Sequence, residues 1–447
     1  MNEILALSGV QQAGLIRAKK ISSEELVRAH LDRIAEVNPS LGAVIEVLGE
    51  QAIETSRHPL PGPLSGVPFS VKDSIEVAGT VCSAGTLGYK ARPRSTVDAT
   101  LVARLRAAGA IPIARTNLPD LLFAFESDNL IFGRTNNPYA LDRTSGGSSG
   151  GEAALIASCG SPFGLGSDAA GSVRLPAHYC GIASLKPTSG RLSRAGHVPP
   201  AGGWLESLWQ IGPMARWVQD LSAMMPILLG PDSRDRTVVD MPLPEVPLRH
   251  LRVAYYADNG FATPDAETQA VVRRAGEALG GVERQPPGVE LAYDLEMKFL
   301  GPDGGDGLRE FLGSIGSDRT HPLLNGWLEK LEQYRTDVAG FAGYWADIDK
   351  FRDGMQGFLH SFDVVLSPVA AHAALPHGTS VQEQNFKGFS YTMAHNLTGW
   401  PAAVVRCGET AEGLPIGVQV AAAPWREDIV LGVARRLEEI FGGWKPV

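Results

Sequence analysis

The stretch Ser145-Gly146-Gly147-Ser148-Ser149-Gly150-Gly151 runs straight into Glu152-Ala153-Ala154-Leu155-Ile156-Ala157-Ser158. Alone, the first half has the composition of a flexible linker. A linker does not usually enter a buried apolar helix without a polar spacer, and the second half reads as such a helix. A second small-residue loop follows, Gly164-Leu165-Gly166-Ser167-Asp168-Ala169-Ala170-Gly171-Ser172-Val173-Arg174. Two glycine–serine loops bracketing one helix bring backbone amides close to whatever they surround. The chain has 51 glycines in 447 residues, about 11 % against roughly 7 % on average. Ten of them fall between Gly146 and Gly190. The excess is local and marks a site.

Phosphate cradling is the competing use of such loops, but no P-loop pattern and no dinucleotide glycine fingerprint occurs. Formal net charge is −9, and basic residues cluster only briefly, as in Lys19-Lys20 and Arg273-Arg274. That argues against nucleic acid as a partner. Cys82, Cys159, Cys180 and Cys407 are scattered, with no metal-ligand spacing. They read as free thiols of a reducing compartment, so a cytoplasmic location is expected. Met1 to Arg17 lacks the basic start of a secretory signal. No apolar run reaches the roughly 18 residues of a membrane span.

Ser22 and Glu25 form a capping box that opens a helix through Val37. Gly66 to Lys72 reads as a loop entering a short buried strand. Leu101 to Gly109 reads as a helix with a glycine stop, and Ile111 to Ala114 as a strand. This alternation continues to about residue 230. Pro231 to Pro247 is a polar connection. Leu251–Tyr256, Asp363–Leu366, Ala402–Val405 and Ile416–Val420 read as strands, and Glu427–Phe441 as a final helix. Leu323 to Phe362 carries apolar residues at helical intervals and predicts two amphipathic helices. With no repeat and no linker between halves, the expectation is one α/β domain over 1–447, a central mixed β-sheet flanked by helices.

A serine hydroxyl needs a base to become a nucleophile. His178, six residues after Ser172, has no evident acidic orienter and reads as a structural histidine. A lysine base is the other solution, and it must be buried to lose its proton. Lys72 ends the apolar strand Phe69-Ser70-Val71 and is the candidate.

Gly146–Gly151, then Asp168-x-x-Gly171-Ser172-Val173-Arg174-x-Pro176, then Cys180-Gly181-Ile182-x-x-Leu185-Lys186-Pro187-Thr188, resemble the amidase signature family. Gly66-Val67-Pro68-Phe69-x-x-Lys72-Asp73 is similar to its lysine motif. Asn396-Leu397-Thr398-Gly399-Trp400-Pro401 and Gly413 to Gln419 resemble its closing motifs, so the resemblance spans the chain. It implies a Ser–cis-Ser–Lys triad: Ser172 as nucleophile, Ser148 as bridging serine after a cis peptide, Lys72 as base. It further implies oxyanion donors at the amides of Ala169, Ala170, Gly171 and Ser172. Ser149, Asp168 and Arg174 are expected to support them, Arg174 by pairing with Asp168. One position departs from the pattern. The family usually has two glycines before the nucleophile, and here they are Ala170-Gly171. A methyl group at 170 is expected to narrow the pocket or shift the loop while keeping its N–H.

Leu121-Leu122-Phe123-Ala124-Phe125 resembles the acyl-channel segment of family members acting on fatty acid amides. Leu122, Phe123, Phe125, Trp204 and Trp209 are the candidate pocket residues, and the helical segment 284–362 is expected to cap them. The implied activity is hydrolysis of apolar or aromatic amides, extending to anilides, esters and carbamates (urethanes), which present the same carbonyl. It needs neither cofactor nor metal. Two other readings stand beside it: the family's amidotransferase component that makes glutaminyl-tRNA with partner proteins, and a non-catalytic binding module. A homodimer is compatible with the sequence, which does not decide the oligomeric state.

Overall fold

In the computed structural model, residues 3–200, 202–244 and 250–447 are described. Eleven strands form one mixed sheet: β1 (Val44–Val47), β2 (Pro68–Lys72), β3 (Ile111–Thr116), β4 (Phe163–Asp168), β5 (Ala183–Lys186), β6 (Gln210–Ala215), β7 (Val253–Tyr255), β8 (Val282–Glu283), β9 (Val364–Pro368), β10 (Ala402–Glu409) and β11 (Pro415–Ala422). Their spatial order is β1-β3-β2-β4-β6-β5-β10-β11-β9-β7-β8. The neighbours β3, β2 and β4 are parallel, as are β9, β7 and β8, while the strands between them pair antiparallel.

The strands alternate between two cores, because successive side chains leave a strand on opposite faces. Val253, Tyr255, Val364, Leu366, Ala403, Val405, Val418 and Val420 face one core with the helices Thr100–Ala107, Val218–Leu228, Ala266–Ala278 and Glu427–Phe441. Ala254, Val365, Ala402 and Ala421 face the other with the helices Ala292–Leu300, Val338–Phe358 and Ser390–Leu397. Phe69 and Val71 of β2 belong to the first core. Period two therefore sends Ser70 and Lys72 to the opposite face, where the helix Gly150–Ala157 lies.

Most expected elements are present with small changes of boundary, but the first half of the loop expected at Gly164–Arg174 is the strand β4, whose extended backbone pairs with β2 and β6. The capping box at Ser22 and Glu25 opens the helix Ser23–Leu41. The final helix spans Glu427–Phe441. The strand expected at Leu251–Tyr256 shrinks to Val253–Tyr255. Leu323 to Phe362 holds Pro322–Leu331 and Val338–Phe358, two helices joined by a short 3-10 turn. Residues 231–244 carry no helix or strand, and the rest of that expected connection, 245–247, lies outside the described residues, as do Met1 and Asn2. All four cysteines are buried, and none is joined in a disulfide among the described residues. No helix among the described residues is long and apolar enough to cross a membrane.

The helix Gly150–Ala157 is buried along its whole length. Leu155 is fully enclosed in it. A Leu155→Ala variant is predicted to lose about 2–5 kcal/mol, since a cavity adds to the lost transfer energy. Thermal or urea denaturation measures it.

Candidate active site

Three segments converge on one face of the sheet. The end of β2 delivers Lys72, the loop before the helix Gly150–Ala157 delivers Ser148, and the loop after β4 delivers Ser172. The peptide bond Gly147–Ser148 is cis. Lys72 Nζ lies 2.7 Å from Ser148 Oγ and 3.1 Å from Ser167 Oγ, all three residues being buried. The Ser149 amide donates to the Ser172 carbonyl at 3.2 Å, which ties the two serine loops together. The Ser149 hydroxyl lies 3.3 Å from the Ser167 carbonyl and 3.4 Å from its amide. Among the described residues the Ser172 hydroxyl has no hydrogen-bond partner, and Ser172 lines a cavity.

Burial holds the Lys72 amine well below its ordinary pKa of 10.5, against the opposing pull of Asp168 and Glu152. Removing a lysine from water disfavours its charged form. Glu152 lies behind it, accepting from Ser70 Oγ and from Thr116 Oγ1, the latter at 2.7 Å. Burial pushes its carboxyl up to about 7, against these hydrogen bonds and the charges of Arg115 and Lys72. Gly164 of β4 makes room for this carboxylate, since a Cβ there would overlap Glu152 Oε1.

Asp168 is the anchor of the second loop. Arg174 Nε donates to Oδ2 at 3.0 Å and Nη2 to Oδ1 at 2.8 Å, with both side chains fully buried. Asn396 Nδ2 adds a bond to Oδ1 at 2.9 Å, and the Val173 amide one to Oδ2 at 3.1 Å. Burial opposes ionisation of Asp168, but Arg174 and Asn396 outweigh it and hold the carboxyl below the usual range. The Gly171 amide, expected among the oxyanion donors, is committed to Asp168 Oδ1 at 2.8 Å. The amides of Ala169, Ala170 and Ser172 have no partner among the described residues. Gly171 takes φ +116, and a Cβ there would overlap Thr392 Oγ1, which itself donates to the Ala170 carbonyl at 2.7 Å. The positive φ falls at 171 and not at 170. The alanine that departs from the family pattern thus sits where an ordinary residue fits, and its methyl lines the cavity.

That cavity is apolar and narrow, with about 30 Å³ of free volume. Leu122, Phe123, Phe125, Trp209 and Ala170 form its wall beside Ser172, as the sequence leads one to expect for the first four. Leu121 and Leu122 adopt φ of 49 and 69°, an uncommon backbone for leucine, at the start of this wall. Trp204 is a correction. It sits on the 3-10 turn Gly203–Ser207, and its indole N–H donates to the Phe299 carbonyl at 3.0 Å. That tether holds it in a neighbouring cavity, away from Ser172. Leu300 and Trp327, which the sequence does not mark as pocket residues, complete the wall. Trp327 packs on Phe123 and Phe125 at ring separations of 6.0 and 5.4 Å. Its only sequence signal is membership of the amphipathic segment. Ser167 falls in the segment the sequence reads as the second loop but lies in β4, and nothing in the sequence gives it a contact. His178 is structural: its Nδ1 accepts from the Gly417 amide at 2.8 Å, and Nε2 lies 3.1 Å from the His372 carbonyl.

The Amidase family model matches residues 25–431. Human fatty-acid amide hydrolase 2 is 31 % identical over 487 aligned residues, covering 99 % of this chain and 90 % of that protein. A glutamyl-tRNA(Gln) amidotransferase subunit from Thermus thermophilus is 33 % identical, covering 92 % of each. A solved structure of fatty acid amide hydrolase superposes with a TM-score of 0.90 at 26 % identity, covering 99 % of this chain and 86 % of that one. The chain belongs to the amidase signature family of amide hydrolases.

The buried amine has a stability signature. In the unfolded chain Lys72 keeps its proton up to about pH 10.5, whereas the buried amine releases it earlier. Between the two values the unfolded state binds more protons, so this residue's contribution to stability improves as pH rises. Lys72→Met removes the effect. The Tm advantage of that variant over the parent is predicted to be largest near neutral pH and to shrink toward pH 10.5. Thermal denaturation across this range checks it.

Proposed function

We propose that the protein hydrolyses amides of apolar or aromatic acyl groups, with Ser172 as nucleophile, Ser148 as the bridging serine and Lys72 as the base. The observation that carries this reading is the wholly buried Lys72 amine 2.7 Å from Ser148 Oγ, between the two serine loops. A neutral amine accepts the Ser148 proton as Ser148 accepts that of Ser172. The Ser172 oxygen then adds to the acyl carbon. The proton returns along the same path to the leaving nitrogen, the C–N bond breaks, and an acyl ester remains on Ser172. Water, deprotonated by the same relay, releases the acid. The Ser172–Ser148 link closes when a carbonyl occupies the cavity, since such hydrogen bonds commonly tighten only in the substrate complex.

The developing oxyanion is served by the free amides of Ala169, Ala170 and Ser172, while Gly171 is held by Asp168. Each such donor is worth about 3–4 kcal/mol in comparable sites. Ser149, Asp168 and Arg174 are positioning residues, acting through the two loops. Leu122, Phe123, Phe125 and Trp209 hold the acyl group, with Leu300 and Trp327 of the helical segment 284–362 as its cap. Among the described residues no charged side chain lines this cavity. That supports an apolar acyl group over glutamine, whose α-carboxylate needs a cation, and so favours a hydrolase over an amidotransferase component. Anilides, esters and carbamates place the same carbonyl before Ser172 and belong to the proposed range.

A fluorophosphonate is predicted to label the native protein and not Ser172→Ala. Hydrolysis of an aryl amide by that variant is predicted to fall by at least about 10³-fold. Normal turnover by Ser172→Ala would overturn the assignment. Ala170→Gly removes the methyl from the cavity wall. It is predicted to shift kcat/KM toward bulkier acyl groups by about tenfold relative to acetyl, read with anilides of graded acyl size.

A further inference from the structure

A second cavity of about 360 Å³ lies back to back with the one at Ser172. The segment 204–210 lines both. Trp209 and Leu300 face Ser172, while Trp204 and Gln210 face the second cavity. Its volume falls within the roughly 300–1,000 Å³ of small-molecule sites.

Two observations mark it as built for a ligand. Gln210 is 2 % exposed, and its side-chain amide makes no hydrogen bond within the protein among the described residues. A buried amide left unpaired costs free energy unless something else satisfies it. Ser207 Oγ, on the same wall, is also buried without a partner among the described residues. Independently, two indoles face the space. Trp204 is pinned by Phe299 and packs edge-on against Phe341 at 5.6 Å. Trp345 packs edge-on against Phe299 at 4.9 Å. Arg194 also lines the cavity, but its guanidinium is taken up by Asp235, Glu206 and Thr237.

We propose that this cavity is a second binding site, for a neutral planar aromatic ligand that carries a carboxamide. The indoles take the ring. The Gln210 amide, one acceptor and two donors, is complementary to another amide. The local cation is already paired, so the site selects no net charge.

Benzamide is the probe, titrated by calorimetry into the Ser172→Ala protein so that nothing is consumed. The readout is binding, so it stands apart from the assignment of Ser172. Saturable binding is expected. Gln210→Leu should weaken it by about tenfold, as should replacing benzamide with toluene. Trp345→Ala, on the outer helix, should weaken it too, whereas Trp327→Ala in the first cavity should remove only any additional binding beside Ser172 and leave this event in place. If Gln210→Leu does not fold, Trp345→Ala and toluene decide. Absence of saturable binding overturns the proposal. So does loss of binding in Trp327→Ala with binding retained in Trp345→Ala, which would put the ligand beside Ser172.

Discussion

The buried Asp168 carboxylate holds the site together. It ends β4 and receives two bonds from Arg174, one from Asn396 and two from backbone amides in its own loop. Three elements meet there: the strand, the helix Arg174–Cys180 that follows it, and the helix Ser390–Leu397, distant in sequence. Two charges taken out of water are tolerated only when nearly every donor and acceptor is matched. Arg174 meets that condition, with further bonds from Nη1 to the Thr392 carbonyl and to Gln419 Oε1, each at 2.8 Å. The loop between them consequently has little freedom, and Ser172 is held at the cavity by groups that do not touch it.

A second buried charge problem is solved the opposite way. Among the described residues Lys72 has no carboxylate in contact, only two serine hydroxyls, and burial holds its pKa well below the ordinary value. Asp168 and Glu152 lie near enough to oppose this but not to reverse it. A closer carboxylate would stabilise the ammonium form and stop the residue from accepting a proton. The same enclosure that lowers the amine's pKa also costs folding stability, a common relation where an unfavourable group is kept inside.

Legibility in the sequence follows the range of the interaction. Lys72 is readable as facing the site because Phe69 and Val71 are apolar neighbours on one strand, and alternation is local. The Ser22–Glu25 capping box and the glycine-rich loops are readable for the same reason. Trp204 is misread because an aromatic residue close to Trp209 in sequence is not bound to share its cavity. The 3-10 turn and the bond to Phe299 turn it elsewhere. Trp327 is hidden because its helical period announces only a buried face, with nothing to say what that face covers. The commitment of the Gly171 amide to Asp168 is equally invisible, being a matter of loop geometry.

Family membership, the α/β class and the candidacy of Ser148, Ser172 and Lys72 are legible in the chain's letters alone. These depend on short motifs whose glycines and small residues serve local backbone needs. Folding in three dimensions settles the rest: the cavity wall beside Ser172 is closed by Leu300 and Trp327, and Ala170 escapes the left-handed turn taken by Gly171. It also leaves Gln210 facing an adjoining cavity, its side-chain oxygen without a partner among the described residues. Such features depend on which surfaces meet across the sheet, and packing between distant segments is not encoded in the spacing of any one of them.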